Sequence, residues 1–170
     1  MKRFALAALV AVATVPAMAG EQYVNSTGYA NSGYDVVAYF ELEQAPVGGE
    51  QPPAVPGSSE FTATYNGATF AFADAQNLAR FEADPQKYAP QYDGHCAYGV
   101  TKGGKVPGNP NLWRIVDGKL YLNITPNVVS FWEEDVPGNL AVSEEKWPAI
   151  ESGAASTMAI PKFTPAAPNT

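Results

Sequence analysis

The chain has 170 residues and a formal net charge of −7 at neutral pH. An acidic surplus of this kind repels phosphate backbones and anionic lipid, which argues against nucleic-acid and membrane-surface partners. Fifteen glycines and fifteen prolines favour many turns and short elements over long helices.

The N-terminus reads as a secretory signal peptide over residues 1–19. Lys2 and Arg3 supply the positive start, Phe4 to Val15 is apolar apart from Thr14, and Ala17-Met18-Ala19 is a small-x-small cleavage site before Gly20. The apolar run is too short to span a bilayer, and no later run is long enough, so no membrane insertion is expected after cleavage. The expected product is periplasmic or secreted. It begins at Gly20, has 151 residues and carries a net charge of −9, because cleavage removes two positive charges and no negative ones. That length suits one domain with its own core.

Residues 20–32 are polar and read as a mobile lead-in. Val36 to Phe40 is β-branched and aromatic and reads as a short buried strand. Ala45 to Ser59 is rich in proline and glycine and reads as a surface loop. Glu60 to Tyr65 and Ala68 to Phe72 flank Asn66-Gly67, a pair suited to the left-handed positions of a type I′ turn, so a hairpin is expected there. Phe61, Ala63 and Tyr65 would share one face, as would Phe70 and Phe72 on the partner strand.

Asp74 is placed to cap a helix carrying Leu78 and Phe81 on one stripe, and Asp84-Pro85 ends it and starts a further turn towards Tyr88. Leu112 to Val116 and Lys119 to Ile124 flank Asp117-Gly118, a second hairpin signal, with Leu120, Leu122 and Ile124 towards the core. Thr125-Pro126 reads as an N-cap followed by a first-position proline, opening a helix through Val128, Val129, Trp132 and Val136 that Pro137-Gly138 stops. Ser143-Glu144-Glu145 opens a last short helix reaching Trp147. Residues 149–170 show no periodic apolar face and read as a disordered tail dispensable for folding. The pattern is α+β: a small antiparallel sheet built from hairpins, with several short helices packed on it.

The chain holds one cysteine, Cys96, and one histidine, His95, side by side in Gly94-His95-Cys96-Ala97-Tyr98-Gly99. Exported proteins usually pair their cysteines, so an unpaired one asks for a reason. Three roles are open for Cys96: a buried core residue, a metal ligand, or a reactive thiol. Thiolate suits Cu(I) or Zn(II) and imidazole suits Zn(II) or Cu(II), which makes His95 and Cys96 the candidate metal ligands. One of each does not close a site, and neighbours on a strand point to opposite faces. Asp93, Met158 or a second chain would have to complete the shell. Nucleophilic catalysis is disfavoured, because a catalytic Cys–His pair is aligned by the fold and adjacent residues rarely align. None of the seventeen carboxylates is singled out by spacing as an acid–base pair.

The segments Gly33-Tyr34-Asp35-Val36-Val37-Ala38-Tyr39-Phe40, Asn66 to Phe72, Phe81 to Tyr88, Gly94 to Gly99 and Trp113 to Asn123 together resemble exported YHS-domain proteins. The resemblance covers residues 33–148. It implies a YHS-like domain related to the zinc-type TRASH module, and an association with heavy-metal handling, copper above all. Metal-linked members of that group place cysteines just after the second hairpin strand and one helical turn later; here Ala73 and Asn77 stand at those places. The expectation is a non-enzymatic, exported protein that binds or senses a transition metal, with a copper ion as the leading candidate. The alternatives are a metal-free module that docks an envelope protein and a thiol-dependent redox protein.

Overall fold

The computed structural model describes residues 20–170; the signal peptide expected over 1–19 lies outside them. The fold is α+β. Two antiparallel hairpins, β1 (Ser58–Tyr65) with β2 (Ala68–Phe72) and β3 (Asn109–Val116) with β4 (Lys119–Asn123), form separate two-stranded sheets. They are joined by α1 (Ala75–Ala83), α2 (Pro85–Tyr88) and α3 (Ala97–Thr101), and followed by α4 (Pro126–Glu133) and α5 (Val136–Ile150). The hairpin signals predict a single sheet, and the structure divides it. A bulge in each long strand, between Ser58 and Thr62 and between Asn109 and Trp113, bends each ribbon, and the pairs do not merge.

Both hairpins turn where the sequence places them. Asn66 and Gly67 have φ of 47° and 76°, and Asp117 and Gly118 have 49° and 73°, the left-handed pair that a type I′ connection needs. The caps follow the sequence too. The Asp74 side chain accepts from the amides of Gln76 and Asn77, Asp84 from Lys87, and Thr125 from Val128, with prolines in the first turns of α2 and α4.

The strand β4 organises the core. Leu120 and Leu122 face a cluster that includes Tyr39, Phe70, Phe72, Phe81 and Trp113, while Tyr121 faces a second cluster with Tyr92, Val100 and Trp132. The period-2 alternation of a strand therefore serves two cores at once, because α3 to α5 cover the face opposite the first hairpin. Ile124, expected in the core, lies just beyond the strand and is half-buried.

Other expectations need correction. Val36 to Phe40 is not a strand; Ala38–Phe40 is a turn of 3-10 helix. Asp35 accepts from the amides of Val37 and Ala38 and so caps a turn, which overrides the β-propensity of the valines. Pro137-Gly138 does not stop α4. It lies in the first turn of α5, capped by Asp135, where a proline's missing N–H does no harm, and α5 runs 15 residues instead of a short turn near Ser143.

The lead-in and the tail are packed against the domain. Tyr23 is buried and its amide donates to the Asp93 carbonyl. Tail residues Ile160 and Ala167 are 6% exposed, and Asn169 exchanges backbone hydrogen bonds with Gly57 and Ser59. The tail has too few periodic apolar residues to show in sequence; it is held instead by backbone groups that satisfy partners far away in the chain.

Candidate functional site

Residues 91–96 set the geometry around the histidine and the cysteine. Tyr92, Asp93 and Gly94 have successive φ of 56°, 53° and 77°, a left-handed run that turns the chain sharply before His95. His95 and Cys96 then adopt extended backbone and are both fully buried. Their side chains address different neighbours. His95 lies against Tyr23 and Trp147, whereas Cys96 points to Asn123 on β4.

Both ring nitrogens of His95 are engaged. Nδ1 lies 2.9 Å from the Tyr92 carbonyl and must donate; Nε2 accepts from the Ser156 amide at 3.0 Å. The two partners fix the neutral Nδ1–H tautomer. Cys96 is the N-cap of α3. Its sulfur accepts from the Gly99 amide at 3.3 Å and donates to Asn123 Oδ1 at 3.4 Å, and Asn123 also takes the Tyr98 amide at 3.1 Å. Burial pushes the thiol pKa up despite these amide donors, which works against a reactive thiolate. The other proposed shell members do not converge here. Met158 exposes its side chain and uses its carbonyl to accept from Tyr23, and Asp93 Oδ1 accepts from Gln22 at 2.7 Å. Among the described residues no three His, Cys, Asp or Glu side chains cluster as a metal site would require.

A buried carboxylate joins the Tyr34–Phe40 segment to Ala73 and Asn77. Asp35 is fully buried and accepts four hydrogen bonds. Oδ1 takes the amides of Val37 and Ala38, and Oδ2 takes the amide of Ala73 at 2.8 Å and the side-chain amide of Asn77 at 2.7 Å. One carboxylate thus ties the start of α1 to the turn at Val37 and Ala38. The sequence signal for Asp35 is a lone carboxylate between Tyr34 and two valines, since an acid in an apolar run is buried only when it is satisfied.

A substantial concavity lies elsewhere. The loop 42–56 folds back over the second hairpin. Trp113 donates its indole N–H to the Pro52 carbonyl at 2.9 Å, and Ala54 donates to Asn111 Oδ1 at 2.9 Å. Arg114 donates to the Ala45 and Pro46 carbonyls and forms a buried ion pair with Glu133, whose other oxygen accepts from the Gly48 amide. Between this loop, β3 and α4 is a cleft of about 630 Å³ with Glu50, Pro53, Leu112, Pro126, Val129 and Ser130 among its lining residues. Its volume lies in the range of ligand pockets. No motif marked it, because its wall is a loop whose path is set by tertiary hydrogen bonds.

No family model matches the chain, and neither a curated protein nor a solved structure does. The chemistry therefore rests on the geometry above.

One consequence is a pH dependence centred on His95. Burial, the largest influence, together with nearby Lys105, holds its pKa down at about 4, against the opposing Tyr92 carbonyl. Between about pH 6.5 and about pH 4 the unfolded chain binds this proton and the folded one does not, so stability falls as pH falls through that window. The contribution is of the order of 3 kcal/mol, fully present above the upper limit. Without an ammonium partner, Asp93 acts in the opposite sense, since burial raises its pKa to about 6 and stability is lost as pH rises and its carboxyl ionises in the fold. Denaturant titrations of wild type and His95→Gln across pH 4 to 7 separate the two, because the Asp93 contribution cancels in the difference. The wild type is expected to lose more stability towards acid than the variant; equal slopes would remove His95 as the cause.

Proposed function

We propose that this protein is a non-enzymatic, exported module of the YHS-like kind that works without a resident metal and docks a segment of an envelope protein in the cleft beside α4. The observation that carries the reading is the state of the candidate ligands. Both nitrogens of His95 and the sulfur of Cys96 are buried and already bonded to protein groups. Metal binding there would have to break those bonds and expose the pair. The cleft, by contrast, is open and has a mixed lining of proline, aliphatic, carboxylate and hydroxyl groups that suits an extended peptide. The Asp35 hub supports the same reading, because it supplies hydrogen bonds to Ala73 and Asn77, the two positions that the YHS resemblance assigns to metal cysteines.

The test has two arms. In a competition assay against a Cu(I) chelator, wild type and Cys96→Ser are expected to take up copper equally weakly. Tight uptake lost in Cys96→Ser with the fold preserved, as read by circular dichroism, would restore the metal-binding reading. In intact cells, a photo-crosslinking residue at Ser130 is expected to give a discrete protein adduct that disappears when Val129→Arg is added. A reaction no different from that of a label at exposed Lys102 would remove the cleft as the docking site.

A further inference from the structure

Asp93 is a buried carboxylate left half satisfied. It is 8% exposed, and only Oδ1 has a partner, Gln22; Oδ2 has none among the described residues. The left-handed conformations of Tyr92 and Asp93 hold it in place. Left-handed residues other than glycine persist only where the surroundings demand them. Beside the unpaired oxygen stands Gly20, the residue that follows the expected cleavage site. A Cβ built on Gly20 would collide with Asp93 Oδ2 and come within 2.5 Å of the Glu151 carbonyl oxygen. Position 20 therefore faces two acceptors at close quarters and has no room for a side chain.

We propose that Asp93 Oδ2 and the Glu151 carbonyl form a binding site for an ammonium group, and that its occupant is the α-amino group of Gly20 released when residues 1–19 are removed. The inference rests on the export reading only for the origin of that amine. The geometry follows from tetrahedral carbon. The backbone nitrogen and a Cβ are each bonded to the same Cα at about 1.5 Å, so they lie about 2.5 Å apart and the nitrogen is within about 5 Å of Asp93 Oδ2. While a peptide bond ties that nitrogen to residue 19, it is a neutral amide with a single N–H and no positive charge. After cleavage, rotation of roughly 120° about the Cα–C bond of Gly20 carries the nitrogen to the position a Cβ would take, between the two oxygens. Small backbone adjustment then gives ordinary charge-assisted distances of about 2.7–2.9 Å.

The charges around the site fit this occupant. Lys105 is the nearby cation, but its ammonium is committed to the carbonyls of Glu151 and Gly153 at 2.7 and 2.6 Å. Glu151 adds a further negative charge near Asp93. The Glu151 carbonyl has a second lone pair for a second donor. The pairing would tie the start of the mature chain to the end of α5 and to the turn that orients His95, so that processing by the export machinery completes the fold.

The test compares the full chain beginning at Met1 with the chain beginning at a free Gly20 amine, each with the native Asp93 and with Asp93→Asn. In the native background the free amine is expected to raise the melting temperature by about 4–8 °C, and in the Asp93→Asn background by less than about 2 °C. An equal shift in both backgrounds overturns the pairing. A second readout does not depend on the full-length chain: NMR titration of the Gly20 α-amine should give a pKa above about 9, higher than the usual value of about 7.7–8.0. A value at or below about 8 overturns the proposal. Intact mass of the native protein separately reports where the chain is cut; a start other than Gly20 overturns the export origin of the amine, while the first two measurements still decide the site.

Discussion

Replacing Asp35 by alanine is expected to lower stability by about 3–5 kcal/mol, enough to leave much of the protein unfolded at ordinary temperature. The side chain is fully buried and serves four donors, from Val37, Ala38, Ala73 and Asn77. Each buried donor left without a partner costs about 1–3 kcal/mol, and water admitted to the small cavity recovers part of the sum. Asp35→Asn should have a smaller effect. It keeps one carbonyl acceptor, but turns an NH₂ group towards amides that also donate, and a loss of about 2–3 kcal/mol is expected. Urea denaturation followed by tryptophan fluorescence measures both. A loss below about 1 kcal/mol for the alanine variant would mean that the hub does not join the Tyr34–Phe40 segment to the start of α1.

The second large effect concerns the wall of the cleft. Glu133→Ala is expected to cost about 3–5 kcal/mol, because it strands the Arg114 guanidinium in a buried site. The two side chains are only 7% and 6% exposed, and Glu133 is the carboxylate partner of Arg114. The same change releases the Gly48 amide, so the loop 42–56 should loosen as well. The double replacement Arg114→Met with Glu133→Leu separates these consequences. Filling the volume with apolar groups removes the uncompensated charge, and such swaps are often neutral or stabilising by about 1–4 kcal/mol. Stability is therefore expected to return, while hydrogen exchange at Gly48 and the crosslinking at position 130 stay altered. If the double variant were as unstable as Glu133→Ala, the stability of this wall would come from anchoring the loop and not from pairing the buried charge.

These two effects bear on how the chain reaches its fold. Asp35 links a turn to a segment 38 residues later, and Glu133 fixes a loop 85 residues earlier. Both are single acceptors that satisfy several donors at once. Such groups set the relative placement of elements that are themselves locally determined, which is why their loss is expected to exceed that of any one core contact.

Both hairpins and three of the helix starts are legible in short stretches of sequence. Asn66-Gly67 and Asp117-Gly118 fix two hairpins through left-handed turn positions, and Asp74, Asp84 and Thr125 start three helices by capping free amides. Those signals act within a few residues and need no tertiary context. Other features depend on groups that meet only in the folded chain. Val36 and Val37 favour a strand, but Asp35 bends them into a turn because its partners at Ala73 and Asn77 hold the carboxylate in the core. The tail has no apolar period, yet Ser156 and Asn169 dock it through hydrogen bonds to His95, Gly57 and Ser59. His95 and Cys96 stood out in sequence for their rarity. Only burial and the geometry of their partners made them packing and capping residues, because a side chain's chemistry is set by which groups reach its polar atoms, and those groups come from distant parts of the chain.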